Sequence, residues 1–159
     1  MKFSSQEEYG LRCLLRIGKA KTLNGLTIPE ISQLEGLSTA NVGKLLRILR
    51  LGGFIESARG QTGGYKLAYP PEEININKVL EVLGGRLYEA GFCEYHAGLE
   101  KICTNSIDCS IRSLWSTIQS MLDHVLNKIT LFDLLGKEEM VTILVENFTE
   151  EINNIPKSN

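Results

Sequence analysis

Three of the four cysteines in this 159-residue chain lie within one short stretch, GFCEYHAGLEKICTNSIDCS, at residues 91–110. They are Cys93, Cys103 and Cys109, with nine and then five residues between them. Cysteine thiolates bind zinc and iron–sulfur clusters, and pairs of cysteines form disulfides. The spacing does not match the C-x2-C pattern of a zinc knuckle. From the residues alone, three interpretations stay open: a metal or cluster site, a disulfide with a spare thiol, or small buried side chains.

The N-terminal residues argue against export from the cell. Their apolar positions are interrupted by Glu7, Glu8, Arg12 and Arg16, which is not the pattern of a secretory signal peptide. No apolar run approaches the ~18 residues that a membrane-spanning helix needs. We therefore expect a cytoplasmic protein without a membrane partner, in which thiols stay reduced. This expectation favours metal or redox chemistry over a structural disulfide.

Charge is distributed unevenly along the chain, although the formal net charge is only −2. Residues 1–66 contain ten Lys/Arg and five Asp/Glu, a net charge of +5, whereas residues 67–159 contain seven and fourteen, a net charge of −7. A basic surface attracts the phosphates of nucleic acid. The asymmetry predicts that only the N-terminal half binds nucleic acid, and a chance imbalance of solvated charges is the alternative.

The basic half has the pattern of three helices. The first is predicted over residues 4–18, capped by Ser4 or Ser5 and with acidic residues in its first turn, where the helix dipole favours them. The segment LTIPEISQLEGLSTANVGKLLRILRLGG at residues 26–53 predicts two more helices around a tight turn at Gly36.

Local capping signals place the two later helices. Thr27 and Glu30 have the spacing of a capping box at the start of the first one, in which Ile31 and Leu34 should face inward. Ser38 should cap the second one. Its apolar face is formed by Val42, Leu45, Leu46 and Leu49.

The period of the sequence then changes. In FIESARGQTGGYKLAY, residues 54–69, two alternating segments flank a glycine-rich turn, which predicts a β-hairpin. Helix, helix-turn-helix and hairpin follow each other in the order of a winged helix-turn-helix. The predicted fold class is therefore mainly α with a small β-hairpin wing.

The acidic half contains a second apolar pattern. After the linker YPPEE, a short helix capped by Asn75 or Asn77 is predicted, and the cysteine stretch reads mostly as loop. From Ser110 to about Leu135 we predict one long helix. Apolar residues recur along it at Ile111, Leu114, Ile118, Leu122, Val125, Ile129 and Phe132. A seam of this length needs a partner helix, so we expect a two-fold dimer, with packing inside the chain as the alternative.

These residues together resemble the Rrf2 family of bacterial transcription regulators, over about residues 1–135. The most specific likeness is RGQTGGYKLA in the wing, close to the family pattern RG-x-x-GGY-x-LA. The chain is also similar to the family in five other features: MKFSSQEEYGLR, TIPEIS, LRILRLGGFIES, the three loop cysteines and TLFDLL. The resemblance implies a homodimeric repressor or activator that binds a palindromic operator in double-stranded DNA. In the cluster-binding branches, three cysteines of this loop hold an iron–sulfur cluster.

The second helix of the helix-turn-helix supplies the candidate DNA contacts. A helix that enters the major groove presents its first exposed side chains to the bases, here Ser38, Thr39, Asn41 and Lys44. Asn41 can pair with adenine, and Lys44 can reach guanine or a phosphate. Arg47 lies one turn further along and suits a phosphate. A solvated helix face is the alternative interpretation.

The wing supplies the other candidate contacts. The resemblance implies that Arg59 enters the minor groove. Gly60 lies beside it, and a glycine allows the backbone to approach a phosphate or the groove closely. Tyr65 either packs against the protein or contacts a phosphate.

Three thiolates leave one position open on a four-ligand cluster of the 4Fe–4S or 2Fe–2S type. The resemblance implies Glu8 as fourth ligand, because some relatives use a carboxylate there that reaches the cluster of the partner subunit. His96, inside the loop, is the alternative ligand, unless it is an ordinary exposed histidine. His124 lies too far along the long helix, and Arg112 stands where other relatives have a histidine. Cys13, on the apolar side of the first helix, is expected to be a core residue.

The residues and the resemblance together predict a DNA-binding regulator that is controlled by an iron–sulfur cluster. The cluster is expected to sense redox state, nitric oxide or iron–sulfur status. No acid–base constellation accompanies the cysteines, so an enzyme is not expected. A cluster-free regulator that uses thiol chemistry or protein contacts is the alternative. The predicted organisation is a winged helix-turn-helix at 1–70, a connecting helix at 71–90, a cluster-binding loop at 91–110, a dimerisation helix at 110–136 and a C-terminal tail with the apolar pattern of a helix at 137–159.

Overall fold

The computed structural model describes residues 3–20, 22, 24–58, 63–97, 103, 105 and 107–153. Within them the helices are α1 Ser5–Lys19, α2 Ile28–Glu35, α3 Thr39–Leu51, α4 Ile76–Gly84, α5 Phe92–Tyr95, α6 Ser110–Leu126, α7 Leu131–Leu135 and α8 Glu138–Asn153. Strands β1 Ile55–Ser57 and β2 Tyr65–Leu67 form an antiparallel hairpin. The predicted mainly α fold with a two-stranded wing is confirmed. None of the helices in the described ranges is long and apolar enough to cross a membrane.

The predicted caps form as short-range hydrogen bonds. The Thr27 N–H donates to the Glu30 carboxylate at 2.7 Å, and the Glu30 N–H donates to the Thr27 hydroxyl, which completes the capping box of α2. Ser38 caps α3 by accepting the Asn41 N–H at 3.2 Å. Between these helices Gly36 adopts φ +67°, which ends α2 in the left-handed conformation. These interactions fix the helix-turn-helix from its own sequence.

The core lies on one face of α1. Cys13, Leu14 and Ile17 are buried there. The other fully buried side chains come mainly from α2, α3, α4 and α7, and include Ile31, Val42, Leu45, Leu46, Leu49, Val79, Leu83 and Leu131. The inward position expected for Leu34 is wrong, because its side chain is 51% exposed. Helix α2 has only eight residues and buries a narrow stripe, in which Ile31 is the buried residue.

The single helix expected from Ser110 to about Leu135 is corrected by the structure. It ends at Leu126, and a new helix begins at Leu131. In the break, the Ile129 carbonyl accepts the Ile76 N–H at 3.0 Å, and the Leu131 N–H donates to the Ile74 carbonyl at 2.8 Å. Pairing with a segment over 50 residues away therefore overrides the local helical period. The expected tail helix is present as α8.

Gly10 sets the separation of α1 and α4. A Cβ added at Gly10 would lie 2.7 Å from Leu83 Cδ1, in the core, whereas one added at Gly43 in α3 would lie 3.7 Å from Ile28 Cδ1. Overpacking a core costs about 1–3 kcal/mol, and replacing a helix-interior glycine by alanine otherwise gains about 1 kcal/mol. We expect Gly10→Ala to lower the melting temperature and Gly43→Ala to raise it, as measured by circular dichroism. A Gly10→Ala protein as stable as Gly43→Ala would contradict this packing.

Candidate nucleic-acid interface and cysteine loop

The N-terminal half of α3 presents a polar face to solvent. Ser38, Thr39, Lys44 and Arg47 are exposed and Asn41 is half-buried. The opposite face of α3 is buried in the core. Because the side chains that hold the helix are separate from those that face outward, the exposed set can vary without loss of the fold. The arrangement suits groove reading, and the individual base contacts stay predictions.

The wing is attached to the helix-turn-helix through Tyr65. The backbone of Tyr65 pairs with Ser57 on one side and with Leu26 on the other, where the Tyr65 N–H donates to the Leu26 carbonyl at 2.7 Å. A Cβ on Gly64 would lie 2.7 Å from the Leu26 backbone nitrogen, so only glycine fits there. The tyrosine ring is half-buried and packs against the core. The short pairing at Leu26 could not be predicted, because no alternating pattern marks that segment as a strand.

Two of the predicted wing contacts, Arg59 and Gly60, lie outside the described residues. The strands that lead to them are described, and Glu56 and Lys66 form an ion pair across the hairpin at 3.1 Å. The minor-groove role of Arg59 therefore stays a prediction.

Sequence reasoning missed an ionic contact between α1 and α2. Arg12 and Arg16 both bind the carboxylate of Glu35, the last residue of α2. Burial alone would raise the pKa of Glu35, but hydrogen bonds and charge from Arg16 and Arg12 outweigh it and hold the pKa below its ordinary value. A lowered pKa means that this contact contributes stability at neutral pH and loses it only as the pH falls through the folded-state pKa.

The loop cysteines are free thiols in half-buried positions. Cys93 lies in α5, Cys103 follows in the loop, and Cys109 is the N-cap residue of α6. The Cys109 sulfur accepts the Arg112 N–H at 3.3 Å, at a helix N-terminus where negative charge is favoured. The chemistry of this donor set fits an iron–sulfur cluster. Among the described residues, no group of three or more His, Cys, Asp or Glu side chains lies close enough to hold a metal ion.

The two candidate fourth ligands occupy different elements. Glu8 is exposed on α1. His96 is exposed at the end of α5, with its ring stacked on Phe92 at a centroid distance of 4.1 Å and its Nδ1 atom 2.8 Å from the Phe92 carbonyl oxygen. The described residues do not bring either side chain into a set with the cysteines. The ligand set stays a prediction.

A polar network that sequence reasoning also missed holds the base of the cysteine loop. The side-chain oxygen of Gln119, on α6, accepts the backbone N–H groups of Leu87 at 2.8 Å and Tyr88 at 3.2 Å. The Gln119 amide donates to Asp123, which also pairs with Arg86. Burial alone would raise the pKa of Asp123, but hydrogen bonds from its neighbours and the charge of Arg86 keep it below its ordinary value. The start of the loop is therefore fixed to α6.

A helix-turn-helix followed by a hairpin that pairs back beside it defines a winged-helix DNA-binding protein. The sequence pattern of the Rrf2 family, described as an iron-dependent transcriptional regulator, matches residues 3–137. The chain belongs to the Rrf2 family, and it is a DNA-binding transcriptional regulator rather than an enzyme. Helix α8 lies beyond the matched residues.

Relatives and solved structures agree with this assignment. The chain is 31% identical over 140 residues to protein rrf2 of Nitratidesulfovibrio vulgaris, covering 85% of this chain and 87% of that protein. It is 27% identical over 143 residues to the regulator IscR of Vibrio campbellii, covering 90% and 82%. The structure of CymR, the global cysteine regulator of B. subtilis, superposes with a TM-score of 0.65 at 28% identity, covering 85% and 96%. T. potens IscR gives a TM-score of 0.65 at 26% identity, covering 85% and 86%.

Cys13 should differ from the three loop thiols in reactivity. It is fully buried, and burial, helped by the nearby Glu35 carboxylate and opposed by Arg12, raises the pKa of its thiol to about 11. Thiolates are the reactive form, so Cys13 should stay unmodified at pH 7.5. We expect intact-mass analysis of native, cluster-free protein to show three iodoacetamide adducts, and four after denaturation. A Cys13→Ala control should give three in both states; rapid addition of a fourth adduct to the native wild type would contradict the burial.

Proposed function

We propose that the protein is a homodimeric regulator whose affinity for a palindromic operator is controlled by an iron–sulfur cluster bound to Cys93, Cys103 and Cys109. The observation that carries the proposal is the position of three free, half-buried thiols between the DNA-binding domain and α6. In the chain, this loop follows α4, which packs on α1, and it ends where α6, the predicted dimer-forming helix, begins. The IscR relatives support an iron–sulfur role by their likeness.

DNA recognition is assigned to the exposed face of α3 and to the wing. Asn41 has the side-chain amide that pairs with adenine, and Lys44 can reach guanine or a phosphate. Ser38 and Thr39 lie at the same end of α3, while Arg47 is placed for the backbone. Arg59 is assigned to the minor groove.

Exposed apolar side chains on α6 support the homodimer. Ile111 is 58% exposed, Leu114 53% and Met121 54%, and Trp115 extends the stripe. A cavity of about 420 Å³ opens between α1, α4 and α6. A second copy of α6 would remove this apolar surface from water. Two-fold symmetry would then present two recognition helices to half-sites ~34 Å apart, one turn of DNA.

In this proposal Glu8 from the partner subunit completes the ligand set, with His96 as the alternative. A bound cluster would supply a centre that oxidation, nitric oxide or loss of iron can alter. A carboxylate is a weaker ligand for it than a thiolate, so Glu8 would be the first protein ligand to be released. Because Glu8 lies on α1, its release would act on the helix that carries the DNA-binding domain.

A cluster-free regulator remains the second candidate. The CymR structures support it, since CymR is described as a global cysteine regulator and the Staphylococcus aureus protein has been solved in an oxidized form. In this case the same loop thiols would respond directly through oxidation, without a bound metal.

The DNA contacts can be separated by substitution. With the promoter of its own gene as probe, we expect Asn41→Ala to cost about 1–3 kcal/mol of specific affinity. Arg47→Ala should weaken binding to promoter and mixed-sequence DNA alike, and lower the salt slope by about one. Lys78→Ala, which removes an exposed charge from α4, is the matched control and should bind as wild type. Wild-type binding by the α3 variants would refute the assignment.

The cluster can be tested by colour. Protein purified without oxygen should be brown with visible absorption, and Cys93→Ala, Cys103→Ala and Cys109→Ala should each lose most of that absorption. Glu8→Ala should bind the cluster but lose it faster in air than wild type, because one protein ligand is missing. Cys13→Ala should keep the colour. Colourless wild-type protein that also fails reconstitution with iron and sulfide would favour the cluster-free regulator.

A further inference from the structure

Three charged side chains meet where α2 ends and the turn of the helix-turn-helix begins. Arg12 Nε lies 2.9 Å from one carboxylate oxygen of Glu35, and Arg16 Nε lies 2.6 Å from the other. A second nitrogen of Arg12 donates to the backbone carbonyl of Glu35 at 2.7 Å. We call this group the Glu35 clamp. It joins α1 to the last residue of α2 through side chain and backbone together.

The exposures of the three side chains show that the carboxylate is the enclosed member. The Glu35 side chain is 7% exposed, whereas those of Arg12 and Arg16 are 39% and 37% exposed. The Arg12 guanidinium also lies 5.6 Å from the centre of the Tyr9 ring, within the range of a cation–π contact. Leaving a shielded carboxylate without its charged partners costs free energy. Arg12 and Arg16 therefore constrain where Glu35 can lie.

The position of the clamp in the chain gives it a mechanical role. Arg12 and Arg16 are one helical turn apart, so together they hold both oxygens of Glu35 and fix the end of α2 along the axis of α1. Only Gly36 and Leu37 separate Glu35 from Ser38, the cap of α3. The turn is closed from the other side because the Leu37 N–H donates to the Ser32 carbonyl at 3.1 Å.

An ion pair of this kind adds little net stability compared with apolar residues of similar volume. Its directional hydrogen bonds do, however, select one arrangement of the two helices. We propose that Glu35 is a positioning residue for DNA recognition, which sets the N-terminus of α3 relative to α1 through Arg12 and Arg16. This inference rests on the proposed role of α3 in reading DNA, and it adds a determinant of specificity that does not itself contact DNA.

The test compares specific with non-specific binding. We expect Glu35→Gln to lower affinity for the promoter of the protein's own gene about fivefold or more while changing affinity for mixed-sequence DNA much less. Glu73→Gln is the control: it removes an exposed carboxylate in the turn before α4 and changes the net charge by the same amount. It should change the affinities for the promoter and for mixed-sequence DNA by the same factor, so that their ratio stays as in wild type. A purely structural role for Glu35 would lower both affinities together, in line with the fraction of folded protein.

Arg16→Gln provides a second variant in case Glu35→Gln folds poorly, and it should reduce the same ratio of specific to non-specific affinity. The double variant Glu35→Gln/Arg16→Gln should lose less specific binding free energy than the two single variants added together, because both single changes remove the same contact between Arg16 and Glu35. If the folded variants keep the wild-type ratio while Asn41→Ala loses specific binding, the clamp inference is wrong and the role of α3 stands. If Asn41→Ala and Arg47→Ala also bind as wild type, the proposed DNA-binding face is wrong as well.

Discussion

The burial of one face of α1 is the constraint on which the other elements depend. Cys13, Leu14 and Ile17 fill the centre of the core, and Gly10 lets α4 approach closely. Helix α3 packs against the same helix, and the cysteine loop follows α4 in the chain. Because protein interiors are close-packed, the positions of α2, α3 and α4 all depend on α1, which contacts each of them. The Glu35 clamp adds a connection from α1 to the end of α2.

The features that the sequence predicted are those determined by near neighbours. The capping box at Thr27, the cap at Ser38 and the apolar face of α3 depend on residues three or four positions apart, and all form as expected. The wing is predicted because its alternating strands and glycine-rich turn are local signals. The family resemblance rested on these same segments, and the match over residues 3–137 confirms it.

The features that sequence reasoning missed depend on residues far apart in the chain. Helix α6 ends at Leu126 because the following residues pair with the segment before α4, although the apolar period continues. The pairing of Leu26 with Tyr65 joins the wing to the helix-turn-helix across 38 intervening residues. The contacts of Glu35 and Gln119 have no sequence signal either, because the partners of Glu35 lie on α1 and the backbone partners of Gln119 lie in the segment after α4. Polar residues in contact across a fold are not distinguishable, in one sequence, from solvated ones.

The cysteine loop has features of both kinds, some predicted from nearby residues and some that depend on residues far away. Its three cysteines are free and half-buried, and their role as a sensor stays a prediction. The fourth ligand is different, because Glu8 would come from a second subunit and no pattern within one chain records that approach. The structure does show how the loop is attached to α6: Gln119 fixes its start to that helix, and Cys109 is the N-cap residue of the same helix.

The most direct test of the account is the affinity for the promoter of its own gene, measured by fluorescence anisotropy without oxygen on one preparation before and after its iron is removed by a chelator. The account predicts a brown starting protein whose affinity changes about fivefold or more, in either direction, when the colour is lost. Equal affinities for the coloured and colourless forms would contradict control by a cluster.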